Sequence, residues 1–314
     1  QAAHYPEHFL VNGVFDDNPE KPERINRLRD GALKAGCTLH VPDKHGMGPI
    51  ARVHSPEYLA FLQNAYKRWR YIDGASAAVV PDIRPVVRDG QYPASVVAQA
   101  GYHMSDASSP ITAETWDSIC WSAWSAVSAA NAVLAGDDMA YALCRPPGHH
   151  AGRDIAGGFC YFNNSAIAAT QLQQRHARIA ILDVDLHHGN GTQQIFYARD
   201  DVLTVSVHAD PVRFYPFFWG HAAERGEGAG LGYNLNIPLP RKTKDAEYMA
   251  ALKSALDRID AFAPDAMVIA LGIDASEDDP FGGLSISLDG FGGIGKALRD
   301  RMDCPKVIVQ EGGY

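Results

Sequence analysis

The stretch Ile179-Ala180-Ile181-Leu182-Asp183-Val184-Asp185-Leu186-His187-His188-Gly189-Asn190-Gly191 begins as an apolar run rich in branched residues. It ends on two carboxylates, two imidazoles and a Gly-Asn-Gly break. Such a run reads as a buried strand of a parallel sheet. Side chains two apart on a strand point the same way, so a strand extended to its end places Asp183, Asp185 and His187 on one face. Carboxylates buried at a strand end need a partner, and a cation is the natural one. Open α/β sheets bind ligands beyond the carboxyl ends of their strands. Asp185 and His187 therefore read as metal ligands. A solvated acidic turn accounts for one such residue, but not for this density on a buried strand.

From Tyr141 onward, short apolar strands alternate with helices. Strands are expected at 141–144, 179–185, 202–207, 266–272 and 306–310, with Tyr233–Pro238 as one more; helices are expected at 164–176, 245–262 and 290–302. This alternation predicts an α/β fold with a mainly parallel sheet covered on both faces. A zinc catalyst takes three protein ligands and keeps one position open. Asp274, after the apolar run Ala266–Ile273, is the candidate third ligand. Two carboxylates and one imidazole make a harder site than three imidazoles, so Fe2+, Co2+ or Mn2+ suit it as well as Zn2+. His149-His150 follow the rigid Pro146-Pro147-Gly148 turn. Two adjacent histidines aimed by such a turn suggest acid–base work.

Upstream, Asn18–Arg24 is a proline-punctuated entry into a helix running to Ala35. Ser55 is set to cap a helix that opens with Pro56. A third helix runs from Thr115 to Leu134, closed by Gly136. Between Arg70 and Thr112 no period is sustained, and Pro81, Pro85, Pro93 and Pro110 interrupt the chain. The segment carries too many aromatic and aliphatic residues for plain disorder, so it reads as an inserted interaction subdomain.

At 314 residues the chain suits one large α/β domain spanning 1–314. With 46% hydrophobic and 21% charged residues it has a soluble composition. A net charge of −9 argues against a nucleic-acid partner. No run approaches the roughly 18 apolar residues of a membrane span. The five cysteines are scattered with no CxxC, which suggests a reducing compartment, the cytoplasm.

Six pieces taken together resemble the zinc-dependent histone deacetylase and acetylpolyamine amidohydrolase superfamily. They are Arg145-Pro146-Pro147-Gly148-His149-His150, Gly158-Phe159-Cys160-Tyr161-Phe162-Asn163-Asn164, Asp183 to Thr192, Val205-Ser206-Val207-His208, Leu271-Gly272-Ile273-Asp274 and Glu311-Gly312-Gly313-Tyr314. The resemblance covers nearly the whole chain and implies a three-layer αβα sandwich. It places the metal on Asp185, His187 and Asp274. It makes His150 the general base and acid, His149 its electrostatic partner oriented by Asp183, and Tyr314 the donor to the oxyanion. Gly158, Phe159 and Tyr215 map onto the walls of a substrate tunnel. Asp183, Asp185, His187, Ser206 and Val207 map onto a site for K+ or Na+; Phe196, Arg199, Val202 and Tyr233 map onto a second. Many relatives have a carboxylate where this chain has Asn190, which is expected to leave His150 with a comparatively low proton affinity.

Within the superfamily, the segment at about 70–112 is most similar to the acetylpolyamine branch, where an insertion dimerises the protein and narrows the entrance. The resemblance thus implies a homodimer acting on a small acylated amine, with acetyl-lysine in proteins as the alternative substrate. That branch holds the distal ammonium with acidic residues, whereas Val97 and Ser108 stand near those places here; Asp106 or Asp89 are the substitutes at hand. The manganese ureohydrolases share the fold but need an aspartate where this chain has Gly189. An inactive reader of acetylated ligands would have a broken ligand triad or lack the tyrosine, and neither is the case.

Overall fold

A computed structural model describes residues 1–314. Its strands are β1 (His8–Val11), β2 (Val14–Asp17), β3 (Met139–Ala142), β4 (Ile179–Asp183), β5 (Val202–Ala209), β6 (Asn234–Leu239), β7 (Ala266–Leu271) and β8 (Lys306–Gln310). Its helices are α1 (Glu23–Lys34), α2 (Gly48–Ala51), α3 (Pro56–Trp69), α4 (Val96–His103), α5 (Thr115–Ala135), α6 (Asn164–Leu172), α7 (Asn190–Phe196), α8 (Asp245–Phe262) and α9 (Leu288–Arg301). Six strands make one sheet in the order β3-β8-β7-β4-β5-β6, every pair parallel. β1 and β2 form a separate antiparallel hairpin.

The side-chain period of two builds the layers. Ile179 and Ile181 of β4 and Val268 of β7 pack into a core with α3, α5 and α6. Ala180 and Leu182 of β4 and Met267 and Ile269 of β7 pack into a second core with α8 and α9. The central strands β4 and β5 are buried at every position, so their near-continuous apolar runs follow from cover on both faces. The result is the expected three-layer αβα sandwich. No helix is long and apolar enough to cross a membrane, and the five cysteines are all unpaired.

Two helix boundaries follow their expected chemistry. The Ser55 hydroxyl accepts the Tyr58 N–H at the start of α3, and Gly136 closes α5 in the left-handed conformation at φ 119°. Other elements differ from expectation. β4 stops at Asp183 rather than 185. The Asp183 carboxylate accepts the Asp185 N–H at 3.0 Å, and the Asp185 carboxylate accepts the His187 N–H at 2.8 Å. These local side-chain bonds compete with the ladder and curl the chain. The segment 70–112 also contains α4, capped by Ser95 through the Val97 N–H at 3.3 Å. At eight residues it is too short to show a period.

Candidate active site

The carboxyl ends of four neighbouring strands converge on one place. Residues 146–150 follow β3, Asp183–His188 follow β4, Asp274 follows β7, and Glu311–Tyr314 follow β8. Loops at this edge of an open α/β sheet are where ligands bind.

The ligand atoms of Asp185, His187 and Asp274 all lie within 4.8 Å of one another, and all three residues are buried. His187 Nδ1 lies 3.1 Å from Asp274 Oδ2 and 3.3 Å from Asp185 Oδ1. The remaining carboxylate oxygens are held by backbone donors: Leu186 N–H to Asp274 Oδ1 at 3.0 Å, and Gly312 N–H to Asp185 Oδ2 at 2.7 Å. Burial, then the neighbouring Asp185, pushes the Asp274 carboxyl up to about 6. Burial would depress His187, but hydrogen bonds to both carboxylates overcome it and lift the imidazole to about 9. Two buried carboxylates closing on one imidazole fit a metal cation. A Cβ on Gly189 would run into the Asp183 carboxylate, and as glycine the position offers no side-chain ligand.

His149 and His150 lie with ring centroids 4.0 Å apart and planes tilted by 45°, but have opposite surroundings. His149 Nδ1 lies 2.8 Å from Asp183 Oδ2. Burial disfavours its charge, yet Asp183 and Asp185 outweigh burial and hold it well above the usual imidazole range. His150 Nδ1 donates to Asn190 Oδ1 at 2.7 Å, which leaves Nε2 with its lone pair free. Burial, then His149 and His187, holds His150 well below the usual range. The low proton affinity expected of His150 is therefore present. Its main cause is burial, however, and the Asn190 bond acts in the opposite direction.

Tyr314 stands half-buried between Phe159 and Phe281, with ring centroids at 5.7 and 5.1 Å. The guanidinium of Arg24 lies 4.6 Å from its ring centre. Burial keeps the phenol protonated well beyond its ordinary range, although Arg24 opposes this. Phe159 adopts φ 67°, a conformation that costs a non-glycine residue about 1–3 kcal/mol and tends to occur at functional sites. Gly158 beside it has φ 54°, and a Cβ there would come within 2.5 Å of His150 and 2.8 Å of the Tyr215 hydroxyl. Tyr215 packs edge-on to His150 at 4.8 Å. Gly158 and Tyr215 thus lie against His150, while Phe159 packs on Tyr314.

Asp183 and Ser206 face each other across β4 and β5, with Val207 buried beside them. Ser206 Oγ lies 2.7 Å from His208 Nδ1. For the second cation group, the Phe196 and Tyr233 carbonyls already accept backbone N–H groups from Arg199 and Thr204. Val97 lies half-buried on α4 and Asp89 is exposed. Asp106 accepts the Tyr215 hydroxyl at 2.7 Å, the Gly158 N–H at 3.0 Å and the Ser108 N–H at 2.9 Å.

Sequence reasoning assigned no role to Phe9, Phe281, Arg24 or Glu311. Phe9 packs on Phe159 at 5.4 Å, and Phe281 lies 5.4 Å from His187. Arg24 donates to the carbonyls of Glu311, at 2.8 Å, and Gly313. The signal for Glu311 was a lone carboxylate just past the apolar run Val307–Val309.

A buried Asp-His-Asp triad at the edge of a parallel sheet, which could hold a metal ion, lies beside two histidines whose proton affinities are shifted in opposite directions, an arrangement suited to a metal-dependent hydrolase. The histone deacetylase domain model matches residues 18–314, and the chain belongs to that family of deacetylase hydrolases. It is 46% identical over 319 residues to the acetylpolyamine amidohydrolase of Burkholderia pseudomallei, covering 100% of this chain and 92% of the relative. It is 41% identical to the acetylpolyamine amidohydrolase of Mycoplana ramosa, covering 97% and 90%. A crystal structure of the acetylpolyamine aminohydrolase from Burkholderia pseudomallei superposes with a TM-score of 0.96 at 46% identity, covering 100% of this chain and 91% of that one.

Proposed function

We propose that residues 1–314 form one catalytic domain that removes an acetyl or short acyl group from a small alkyl amine, with acetylpolyamines as the substrate class. The observation that carries this reading is the juxtaposition of the buried Asp185, His187 and Asp274 ligand atoms with a neutral His150 whose Nε2 is free. The names of the relatives supply the substrate class.

Asp185, His187 and Asp274 would hold Zn2+, or Fe2+, Co2+ or Mn2+ in its place. Such an ion, when bound, polarises the acyl carbonyl and acidifies water. His150 Nε2 takes the proton of the attacking water, and the Tyr314 phenol donates a hydrogen bond to the oxygen that becomes negative. His150 then passes its proton to the leaving nitrogen, so the amine departs and a carboxylate remains. His149, kept protonated by Asp183, supplies positive charge beside the reacting centre. Gly158, Phe159 and Tyr215 grip the alkyl chain.

K+ or Na+ at Asp183, Asp185, His187, Ser206 and Val207 would fix the strand ends behind the metal. Phe196, Arg199, Val202 and Tyr233 are the second such group. The insertion at 70–112 is read as the dimerisation and entrance segment of a cytoplasmic homodimer.

The test is a panel of acetylated polyamines, acetyl-lysine peptides and short acyl amides assayed with added zinc, together with elemental analysis. Fastest turnover of an acetylpolyamine and one metal per chain are expected. Preference for acetyl-lysine in proteins would transfer the reading to that substrate, and two manganese ions per chain would overturn the ligand assignment.

A further inference from the structure

Glu311 is fully buried, yet no cation touches its carboxylate. Oε2 accepts the N–H of Gly148 at 2.6 Å and of His149 at 3.0 Å; Oε1 accepts the Ser165 hydroxyl, from the first turn of α6, at 2.7 Å. Those two backbone donors have no backbone acceptor. A buried carboxylate costs several kcal/mol unless its oxygens are used, and here two of its three side-chain hydrogen bonds fall on the turn that carries the histidine pair, while the third anchors it to α6. Glu311 is itself tied to the sheet. Its N–H donates to the Leu271 carbonyl at 2.8 Å, and its own carbonyl accepts Arg24 at 2.8 Å. The next residue, Gly312, donates to the metal-site carboxylate of Asp185, and Tyr314 follows two positions later.

We propose that Glu311 is the positioning residue of the site: its side chain fixes the Gly148–His149 peptides, and through them the place where His150 presents Nε2 relative to Tyr314 and the Asp185–Asp274 cluster. One four-residue segment then sets the separation between the base and the oxyanion donor. The inference rests on the assignment of His150 as base. It is a claim about reach rather than charge, because two N–H groups and a hydroxyl are satisfied by any acceptor of the right length.

Two conservative variants separate reach from charge. Glu311→Gln keeps the length: its carbonyl accepts both N–H groups and its amide donates to a turned Ser165 hydroxyl. Glu311→Asp keeps the charge but is one methylene short. Misplacing a reacting group by about 1 Å costs on the order of 100-fold in rate. With acetylputrescine and a fluorogenic acetyl-lysine amide as probes, we expect kcat per bound metal to fall about 30- to 100-fold in Glu311→Asp with KM little changed, and to stay within about fivefold of wild type in Glu311→Gln. A filler of the interior would instead change the folded fraction and metal content while leaving kcat per bound metal alone. An independent reading comes from the amide protons of Gly148 and His149, which should lose their carboxylate-bound downfield shifts in Glu311→Asp while remaining hydrogen-bonded in Glu311→Gln. Unchanged kcat in Glu311→Asp, or an equal or greater loss in Glu311→Gln, would overturn the proposal. His150→Ala distinguishes the two levels: if it is inactive while Glu311→Asp is normal, only the Glu311 inference fails, whereas an active His150→Ala removes the base assignment itself.

Discussion

His150 and Asn190 are joined by an Nδ1–H···Oδ1 hydrogen bond of 2.7 Å, so the base candidate leans on an uncharged acceptor. Its neighbour His149 leans on the carboxylate of Asp183 at 2.8 Å. Burial disfavours the charge of both imidazoles and only His149 has carboxylates that outweigh it, so the two are driven apart in proton affinity, which is how two titratable groups divide acid–base roles.

Replacing the amide by a carboxylate should change that division. In Asn190→Asp the new charge favours the imidazolium of His150 and raises its pKa by about one unit or more. A base works only when neutral, so raising its pKa moves the acidic limb of the kcat/KM profile to higher pH. The expected result is a clear loss of rate below neutrality with the plateau retained at higher pH. A profile that superposes on wild type would remove His150 from the role of base.

Tyr314 presents a protonated phenol beside Phe159 and Phe281. Loss of an oxyanion donor lowers turnover about 100- to 1000-fold in well-studied hydrolases. Tyr314→Phe is therefore expected to lower kcat by that order while metal content per chain stays as in wild type. Near-normal turnover would assign oxyanion stabilisation elsewhere.

The readability of these groups from sequence depended on whether their partners were local. Asp183, Asp185 and His187 lie within five positions of a buried apolar run, so strand periodicity and metal chemistry pointed to them together. The same carboxylates bend the chain through the Asp185 and His187 N–H groups, which is why the strand is shorter than its apolar pattern. Phe9, Phe281 and Glu311 could not be placed. Phe9 meets Phe159, and Glu311 meets Gly148, only because the fold joins segments about 150 residues apart. Helix α7 was missed because Gly189-Asn190-Gly191 reads as a break, although Gly189 is its N-terminal cap.

Buried neutral histidines should make the fold acid-sensitive. His54 donates from Nδ1 to the Arg153 carbonyl at 3.2 Å, and its Nε2 accepts the Asn163 N–H at 2.9 Å, which fixes the neutral tautomer. Burial holds it down at about 4, and burial with Arg145 holds His4 at about 3, against 6.5 when exposed. Both folded-state values are depressed. The unfolded chain therefore binds these protons first, and stability present above pH 6.5 is lost as pH falls toward 4. Each histidine contributes a slope of about 1.4 kcal/mol per pH unit in that window. Denaturant titrations of wild type and His54→Gln between pH 6 and 4.5 check this. The variant is less stable throughout, but its slope should be smaller by about one proton, and equal slopes would contradict the argument.

The insertion offers the last prediction. Val86, Val87, Ile83 and Tyr71 are 100%, 67%, 62% and 77% exposed, a concentration of apolar side chains within one segment. The same segment is firmly attached: Arg88 pairs with both oxygens of Asp154 at 2.9 and 3.1 Å, on the loop that follows His150. An anchored segment with apolar side chains facing water suits a self-complementary contact, and closed two-fold dimers are the commonest oligomer. Light scattering of wild type should report twice the chain mass, and Val86→Asp with Val87→Asp should report a monomer. If the partner's insertion narrows the entrance, a competition assay in that monomer should shift from acetylputrescine toward acetyl-lysine on a folded protein. A wild-type monomer would remove the dimer. A dimer whose disruption leaves the preference unchanged would keep the assembly and return substrate selection to the wall built by Asp106, Tyr215 and Gly158.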